Sequence, residues 1–231
     1  MKSFKSNKSS IKKILNMIIY ILRYLLSLKV NYKINKNINF GSRRANKFFY
    51  KNLKKCKNYL EYGSGSSSLL AHKNKKKFLS IETDKSFFNL IKNKIKKSAI
   101  YIDMGPTKYN AIPILSPLIL KNKIRIYADA INLFHQTFRN FPDLILIDGR
   151  FRVYVTLHII DYFYNNCEFK GTTTIILDDF KTRSDYKILN SIVKIEKIER
   201  FAVIKLSDKN IKKKSIKKIK KFKKKYIFDF S

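Results

Sequence analysis

Glycine and acidic residues come together in one short stretch of the chain, residues 58–68 (NYLEYGSGSSS). An apolar run leads into Gly63 and Gly65, and apolar residues resume after them, which predicts a strand, a glycine turn and a helix. Glycines let a turn approach a ligand closely, and the helix start directs free N–H groups and its positive dipole end into the same space. At the end of the strand, Glu61 adds a carboxylate that can accept hydrogen bonds from a cationic or hydroxylated ligand and would repel a pyrophosphate.

A second acid follows at a spacing known from nucleotide-binding proteins. Residues 78–83 (FLSIET) predict a second strand that ends in Glu82. In nucleotide-binding α/β units, an acid at this position commonly binds the ribose hydroxyls. The pattern Glu-x-Gly-x-Gly followed by Glu82 resembles the class I S-adenosylmethionine-dependent methyltransferases. The resemblance implies that the glycine turn holds the methionine end of the cofactor and that Glu82 holds its ribose. The third glycine of the family pattern is replaced here by Ser67.

Another motif, residues 146–152 (LIDGRFR), narrows the resemblance to a group of bacterial methyltransferase-like proteins. The group shares the Asp-Gly-Arg-Phe-Arg element and an acidic end to the following strand, here Asp178. The resemblance places Asp148 nearest the methyl group of the cofactor. Asp148 is therefore expected to position an acceptor hydroxyl or amine, or to deprotonate it. Arg150 and Arg152 are expected to bind an anionic substrate, with Asp178 beside them. The alternative is that these arginines are a surface pair bonded to Asp148 or Asp178. The resemblance assigns cofactor binding to Glu61, Gly63, Ser64, Gly65, Glu82 and Asp103.

The proposed site depends on the ends of parallel strands, where open α/β sheets bind their ligands. Acids occupy five predicted strand ends, although the chain has only 16 acidic residues. The simpler interpretation of any one of them is a helix cap or a turn residue. Methyl transfer needs little acid–base chemistry, because the sulfonium is already a reactive donor and alignment supplies most of the rate. A sparse set of catalytic residues is therefore compatible with activity.

The elements that position these acids follow from the hydrophobic pattern. Ser42 is predicted to cap a helix that runs to about Lys54. Further strands are predicted over 99–104, 143–148, 172–177, 192–198 and 201–206, and helices over 85–96 and 153–165, with a helix near 185–189. Three prolines in residues 105–140 predict a loop-rich insertion over the strand ends. This order predicts an α/β, Rossmann-like methyltransferase fold, with a mostly parallel seven-stranded sheet, an antiparallel last strand and helices on both faces.

The chain has a formal net charge of +35 and is 45% hydrophobic, which indicates a basic globular protein. Such a charge favours nucleic acid or an anionic membrane as a partner. Lys, Ile, Asn, Tyr and Phe are also encoded by A/T-rich codons, so base composition is an alternative explanation. The two cysteines, Cys56 and Cys167, are predicted to be reduced and buried thiols. No metal site is expected.

The ends of the chain differ from its middle. We divide it into a basic and apolar helical extension (1–42), the methyltransferase-like domain (43–207) and a lysine-rich tail (208–231). Residues 14–28 are strongly apolar but are too short to span a bilayer. They predict either a helix packed on the domain, which we prefer, or a helix in a membrane interface. Residues 209–225 show near-helical apolar spacing and predict a basic amphipathic helix.

The function that these features predict is S-adenosylmethionine-dependent methylation of a small-molecule or glycan acceptor. One alternative is a non-enzymatic RNA- or membrane-binding protein on the same scaffold. Another is a nucleic-acid methyltransferase, although the Asn/Asp-Pro-Pro-Tyr/Phe element of the amino-directed enzymes is absent. We expect a cytoplasmic protein; attachment to the inner membrane through residues 11–28 and 209–225 is the alternative location.

Overall fold

A seven-stranded sheet forms the centre of the computed structural model, which describes residues 2–25, 34–35, 37–108, 111–166, 168–207 and 215–229. The strands lie in the order β3-β2-β1-β4-β5-β7-β6. The first five are parallel, and β7 runs antiparallel to both β5 and β6. This topology confirms the predicted fold class. The strands are β1 (Asn58–Tyr62), β2 (Lys77–Glu82), β3 (Ala99–Tyr101), β4 (Leu144–Ile147), β5 (Thr172–Leu177), β6 (Glu196–Ile198) and β7 (Phe201–Ser207).

Helices cover both faces of this sheet. Ser42 caps the helix that precedes β1, since its Oγ accepts a hydrogen bond from the Ala45 N–H at 3.1 Å, as predicted. Two 3₁₀ helices span Lys96–Ser98 and Ser184–Ser191. The α-helices are α1 (Lys2–Leu25), α2 (Arg43–Lys55), α3 (Ser66–Lys73), α4 (Lys85–Ile95), α5 (Pro117–Ala128), α6 (Ala130–Phe138), α7 (Arg152–Asn165) and α8 (Ser215–Tyr226).

Alternating strand residues build a separate core on each face. In β4, Ile145 and Ile147 pack with α5, α6 and α7, whereas Leu144 and Leu146 pack with α2 and α4. All four side chains are almost completely buried. A strand that is buried on both faces has a continuous run of apolar residues, as β4 does, and this run is the sequence signal that predicted it.

The largest correction concerns residues 105–140, which were predicted to be loop-rich. The structure places α5 and α6 there. Pro117 is the first residue of α5, where a missing N–H does not disturb the helical hydrogen bonds, and the Ser116 side chain accepts from the Leu118 N–H. Proline here starts a helix. The other prolines, Pro106 and Pro113, do lie in irregular structure.

The expectation that the apolar N-terminal segment packs on the domain is wrong for the described residues. No described side chain of α1 is buried, and apolar residues such as Ile11, Leu15 and Leu25 are more than half exposed. The helix meets the domain through Tyr24, whose hydroxyl donates to Asp103 Oδ2 at 2.7 Å. Residues 26–28 of the predicted segment lie outside the described residues. Within the described parts of the chain, no helix is both long and apolar enough to cross a membrane.

Smaller differences affect the ends of elements. The strand predicted over 192–198 is reduced to β6, because the 3₁₀ helix extends to Ser191. Likewise β3 ends at Tyr101, three residues before the predicted end. Cys56 is a buried free thiol, as predicted, while Cys167 lies outside the described residues.

The C-terminal helix α8 is part of the domain. Ile219 is completely buried, and Tyr226 and Ile227 are nearly so, within the same core as α7. Lys223 Nζ also donates to Asp161 Oδ2 of α7 at 2.6 Å. The amphipathic helix predicted over 209–225 is therefore present from Ser215 onward; residues 209–214 lie outside the described residues.

Candidate functional site

A cavity of about 510 Å³ opens at the carboxyl ends of β1, β2 and β4. This is the edge at which open α/β sheets bind ligands. Larger concavities of about 840 and 930 Å³ lie elsewhere, one between α5, α7 and α8 and one against α2, and neither reaches the strand ends. The lining residues of the strand-end cavity, named the strand-end pocket below, are Gly63, Ser64, Glu82, Thr83, Asp84, Phe87, Ala111, Asp148, Gly149, Arg150, Arg152, Asp179 and Arg183.

The floor of the pocket is formed where two glycines touch. Gly63 has a φ of +93°, and a Cβ placed on it would lie 2.7 Å from the backbone of Gly149. A Cβ on Gly149 would in turn lie 2.1 Å from the Tyr127 hydroxyl. Both positions therefore require glycine, since any side chain would separate the ends of β1 and β4. The predicted glycine turn is present, and it keeps the floor of the pocket free of side chains.

Glu82 lies at the pocket with its carboxylate held by the backbone. Its Oε1 accepts the N–H groups of Thr83 and Asp84 at 2.7 and 2.8 Å, and its Oε2 accepts the Ser64 N–H at 3.0 Å. Burial raises the pKa of this carboxyl to about 7, although the three backbone donors oppose the shift. Because each carboxylate oxygen can accept two hydrogen bonds, Oε2 retains one lone pair for a ligand hydroxyl.

Glu61 has a different environment from the one its motif predicts. It is completely buried, does not line the pocket, and accepts hydrogen bonds from three hydroxyls, those of Ser67, Ser68 and Ser80. Burial raises the pKa of its carboxyl to about 7. Ser67, which replaces the third glycine of the family pattern, is thus one of the donors that Glu61 requires. The structure places Glu61 behind the glycine turn, where it joins β1 to α3.

Asp148 is one of four acidic residues that line the pocket. Its side chain is 37% exposed, and its Oδ1 lies 2.9 Å from Arg152 Nη2. Its confined position and the neighbouring Asp178 raise the pKa of Asp148 above its ordinary value, while Arg152 opposes them. A carboxyl with a raised pKa that faces a cavity is suited to take a proton from an acceptor near neutral pH.

Arg152 is bound by the protein itself. It is 3% exposed, its Nε donates to the Gly149 carbonyl at 2.9 Å, and its Nη1 donates to Asp179 Oδ2 at 3.0 Å. Its Nη2 contacts both the carbonyl and the carboxylate of Asp148. These contacts leave little capacity for the bidentate substrate binding predicted from sequence. Arg152 instead fixes the wall of the pocket.

Asp178 lies behind this wall. It is 2% exposed and accepts two hydrogen bonds from Arg200, at 2.5 Å to Nε and 2.8 Å to Nη2. Arg200 also donates to Asp179, which does line the pocket. The structure therefore brings Asp179 to the site, at the position where the sequence assigned Asp178.

Arg150 is the cation that the pocket leaves available. It lines the cavity, and no ion pair reaches it among the described residues. Burial and the nearby Arg152 lower the pKa of its guanidinium, so it is a positive charge without a carboxylate partner in a confined space. An anionic or electron-rich group of a ligand would give this guanidinium the partner that it lacks among the described residues.

Besides Glu61, two further residues predicted to bind cofactor lie outside the pocket lining. Asp103 accepts hydrogen bonds from the Tyr24 and Tyr101 hydroxyls and from the Gly105 N–H. Tyr24 and the Gly105 N–H help to hold the pKa of Asp103 below its ordinary value. The other residue is Gly65, whose N–H is bonded to Ser68 Oγ at the start of α3.

Sequence reasoning missed several lining residues. Asp84 caps α4 through Phe87 N–H and accepts from Thr107 Oγ1 at 2.6 Å, which ties the loop after β3 to the pocket rim. Phe87 supplies an aromatic wall. The signal for Asp84 was its position as a helix N-cap directly after Glu82. Ala111 and Arg183 had no signal, since each comes from a connection whose path only the tertiary fold determines.

In the described part of the chain no cluster of three or more metal-binding side chains is present.

A solved structure resembles this fold. It is the crystal structure of a methyltransferase-like protein from Silicibacter pomeroyi, with a TM-score of 0.60 and 20% sequence identity over 84% of this chain and 100% of that chain. This likeness shows that the sheet and its helices form a methyltransferase-like scaffold. The sequence matches no family model, and no curated protein sequence matches it at a significant level.

Proposed function

We propose that this protein is an S-adenosylmethionine-dependent methyltransferase that acts on a small-molecule or glycan acceptor. The observation that carries the proposal is the position of Glu82, at the pocket edge with a free lone pair on Oε2, beside the close contact of Gly63 with Gly149. A carboxylate at the end of the second strand is the group that binds ribose hydroxyls in nucleotide-binding α/β units. The methyltransferase-like scaffold favours an adenosyl cofactor among the possible ribose-bearing ligands.

The residues of the pocket fit the parts of such a cofactor. Glu82 would accept a ribose hydroxyl, the glycine turn would admit the chain that carries the sulfonium, and Phe87 would cover an aromatic base. The Ser64 side chain, bonded to Ser80 Oγ at 2.8 Å, fixes the turn in place. When bound, S-adenosylmethionine supplies an electrophilic methyl group to an acceptor nucleophile.

The other side of the pocket has the groups that an acceptor needs. Asp148 would accept the proton of an acceptor hydroxyl or amine, and Arg152 keeps its carboxylate in place at 2.9 Å. Arg150, which has no ion pair among the described residues, would bind an anionic or hydroxyl-rich portion of the acceptor. These roles favour a polar acceptor, and the described pocket of about 510 Å³ is in the size range of small-molecule sites.

Calorimetric titration with S-adenosylhomocysteine tests the proposal. Glu82→Gln keeps the shape of the side chain but replaces an accepting oxygen with an NH₂ group, so we expect affinity to fall by about tenfold or more. The matched control is Glu168→Gln, because the Glu168 side chain is 74% exposed and far from the pocket. Thermal unfolding of each variant establishes that it is folded. Folded wild-type protein that binds no S-adenosylhomocysteine would disprove the proposal and favour a binding protein on the same scaffold.

A further inference from the structure

The N-terminal helix α1 presents its apolar side to solvent. At helical spacing, Ile11, Ile14, Ile18, Leu22 and Leu25 share one side, and each is between 46% and 63% exposed. The residue that contacts the domain, Tyr24, lies at the edge of the opposite, polar side, with Tyr20 and Asn16. A helix that packed on the domain would direct its apolar side toward the domain and its polar side toward solvent.

Helix α5 continues this apolar surface. Leu118 and Ile119 are 70% exposed and Ile126 is 58% exposed, on the side of α5 away from the core. Lys123, on the same side, lies 3.9 Å from Asp103 Oδ2, the oxygen that also accepts the Tyr24 hydroxyl. One carboxylate oxygen therefore joins α1 to the exposed side of α5. The two helices with exposed apolar sides thus meet at Asp103.

The helices that surround this surface carry only positive charge. The sequence of α1 contains six basic residues and no acidic one, and that of α5 contains three and none. Helix α8, which lines a cleft together with Lys121 and Ile126 of α5, contains seven lysines and no acid. An amphipathic helix with apolar and basic residues but no acids is typical of helices that lie in the headgroup region of an anionic bilayer.

We propose that α1 and the exposed side of α5 form a docking surface for an anionic lipid bilayer, with the lysines of α8 at its border. The apolar side chains would enter the interface between headgroups and acyl chains, and the lysines would contact lipid phosphates. A second copy of this chain fits less well as the occupant. Pairing α1 with its own copy would bring together two helices that have basic residues only, with no acid to compensate them.

The docking surface also lies close to the strand-end pocket. Asp103, which joins the two helices, is four residues before Thr107, whose Oγ1 donates to the pocket residue Asp84 at 2.6 Å. Docking would therefore hold the pocket near the membrane surface. The proposal does not depend on the function proposed above, because vesicle binding is measured without cofactor or acceptor.

Co-sedimentation of the full-length protein with vesicles tests this surface. We expect binding to vesicles of phosphatidylcholine mixed with phosphatidylglycerol and little binding to phosphatidylcholine alone. Ile18→Glu in α1 and Ile119→Glu in α5 should each weaken binding by about tenfold or more, because a charge replaces an inserted apolar side chain. The matched control is Tyr50→Glu in α2, which gives the same net charge at a side chain that is 48% exposed outside this surface. All three positions are exposed, so the variants should fold, and circular dichroism checks this.

Several outcomes would overturn the proposal. An equal loss in Tyr50→Glu would mean that net charge alone attracts the vesicles. Complete loss of binding in about 1 M salt, where the Debye length is about 3 Å, would mean that no apolar side chain inserts. A wild-type dimer in light scattering that Ile18→Glu converts to monomer, together with no vesicle binding, would assign the surface to a second copy of the chain.

Discussion

Two glutamates of one motif have different roles because they lie at different positions along the strands on the same face of the sheet: Glu61 pairs with Ser80, two residues before Glu82 on β2. Both Glu61 and Glu82 are buried and both have a pKa near 7, yet only Glu82 lines the pocket. Glu61 lies between Leu60 and Tyr62, which point into one core, so its own side chain points to the other face and meets the serines of α3. The spacing of the motif predicted where the acids lie along the chain. Which of them reaches the pocket depends on the register of β1 against β2, which places Glu61 two residues further from the carboxyl edge than Glu82.

The pKa of Glu61 leads to a prediction about stability. Burial raises its pKa from an ordinary 4.5 to about 7 in the folded protein, so the folded state binds this proton more tightly than the unfolded state. The contribution of Glu61 to stability is therefore full below pH 4.5 and is lost as the pH rises through 7. Glu61→Gln, which stays neutral, should gain stability relative to wild type by about 3 kcal/mol between pH 5 and pH 8.

Urea unfolding at several pH values measures this difference. The remaining titrating groups, including Glu82, are common to both proteins and cancel. The exposed Glu168→Gln variant, measured at the same pH values, serves as the control for removing one surface carboxylate, and the prediction for Glu61→Gln concerns the pH-dependent difference beyond it. A constant difference for Glu61→Gln would mean that the three serine hydroxyls keep Glu61 ionised at its ordinary pKa.

At the scale of elements, Arg152 holds together the end of β4, the start of α7 and the turn after β5. It is 3% exposed and contacts Asp148 and Asp179 at 2.9 and 3.0 Å. Arg152→Ala would leave these carboxylates confined with less positive charge, and we expect a loss of about 3 kcal/mol or more in the free energy of unfolding. The control is Arg44→Ala, because Arg44 pairs with Glu199 at 3.9 Å on the surface and should contribute less than about 1 kcal/mol. Chemical denaturation compares the two; equal losses would contradict the role of Arg152.

The elements that sequence predicted well are those whose signals are local. The cap at Ser42, the apolar run of β4 and the glycine turn each depend on neighbouring residues, and each is present. Residues 105–140 were mispredicted because prolines were treated as helix breakers, whereas Pro117 occupies the one helical turn that tolerates it. The prediction that Arg152 binds a substrate did not account for a contact between residues distant in the chain. Its carboxylate partner Asp179 is 27 residues away in the chain.

At the scale of the whole molecule, the two basic ends of the chain differ in how they contact the domain. Helix α1 has no buried side chain among its described residues, and its described contacts include one hydrogen bond from Tyr24. Helix α8 is richer in lysine, with seven lysines in 12 residues against five in the 24 residues of α1, yet it places Ile219 in the main core. The sequence predicted the reverse, with the N-terminal helix packed on the domain and residues 208–231 as a tail, because basic amphipathic helices of either kind have the same spacing of apolar residues. Only the packing against α7 distinguishes them.

This difference predicts how the domain responds to changes at its end. Ile219→Ala removes a completely buried side chain from the contact of α8 with α7, so we expect a loss of about 2–4 kcal/mol in the free energy of unfolding. Lys218→Ala, one position earlier on the exposed side of the same helix, should change that free energy by less than about 0.5 kcal/mol. Urea unfolding of both variants beside wild type measures the difference. Equal stability of the two variants would mean that α8 does not belong to the folded core. In that case the domain would end near Ser207, as the sequence predicted, and the lysines of α8 would be free to move independently of the sheet.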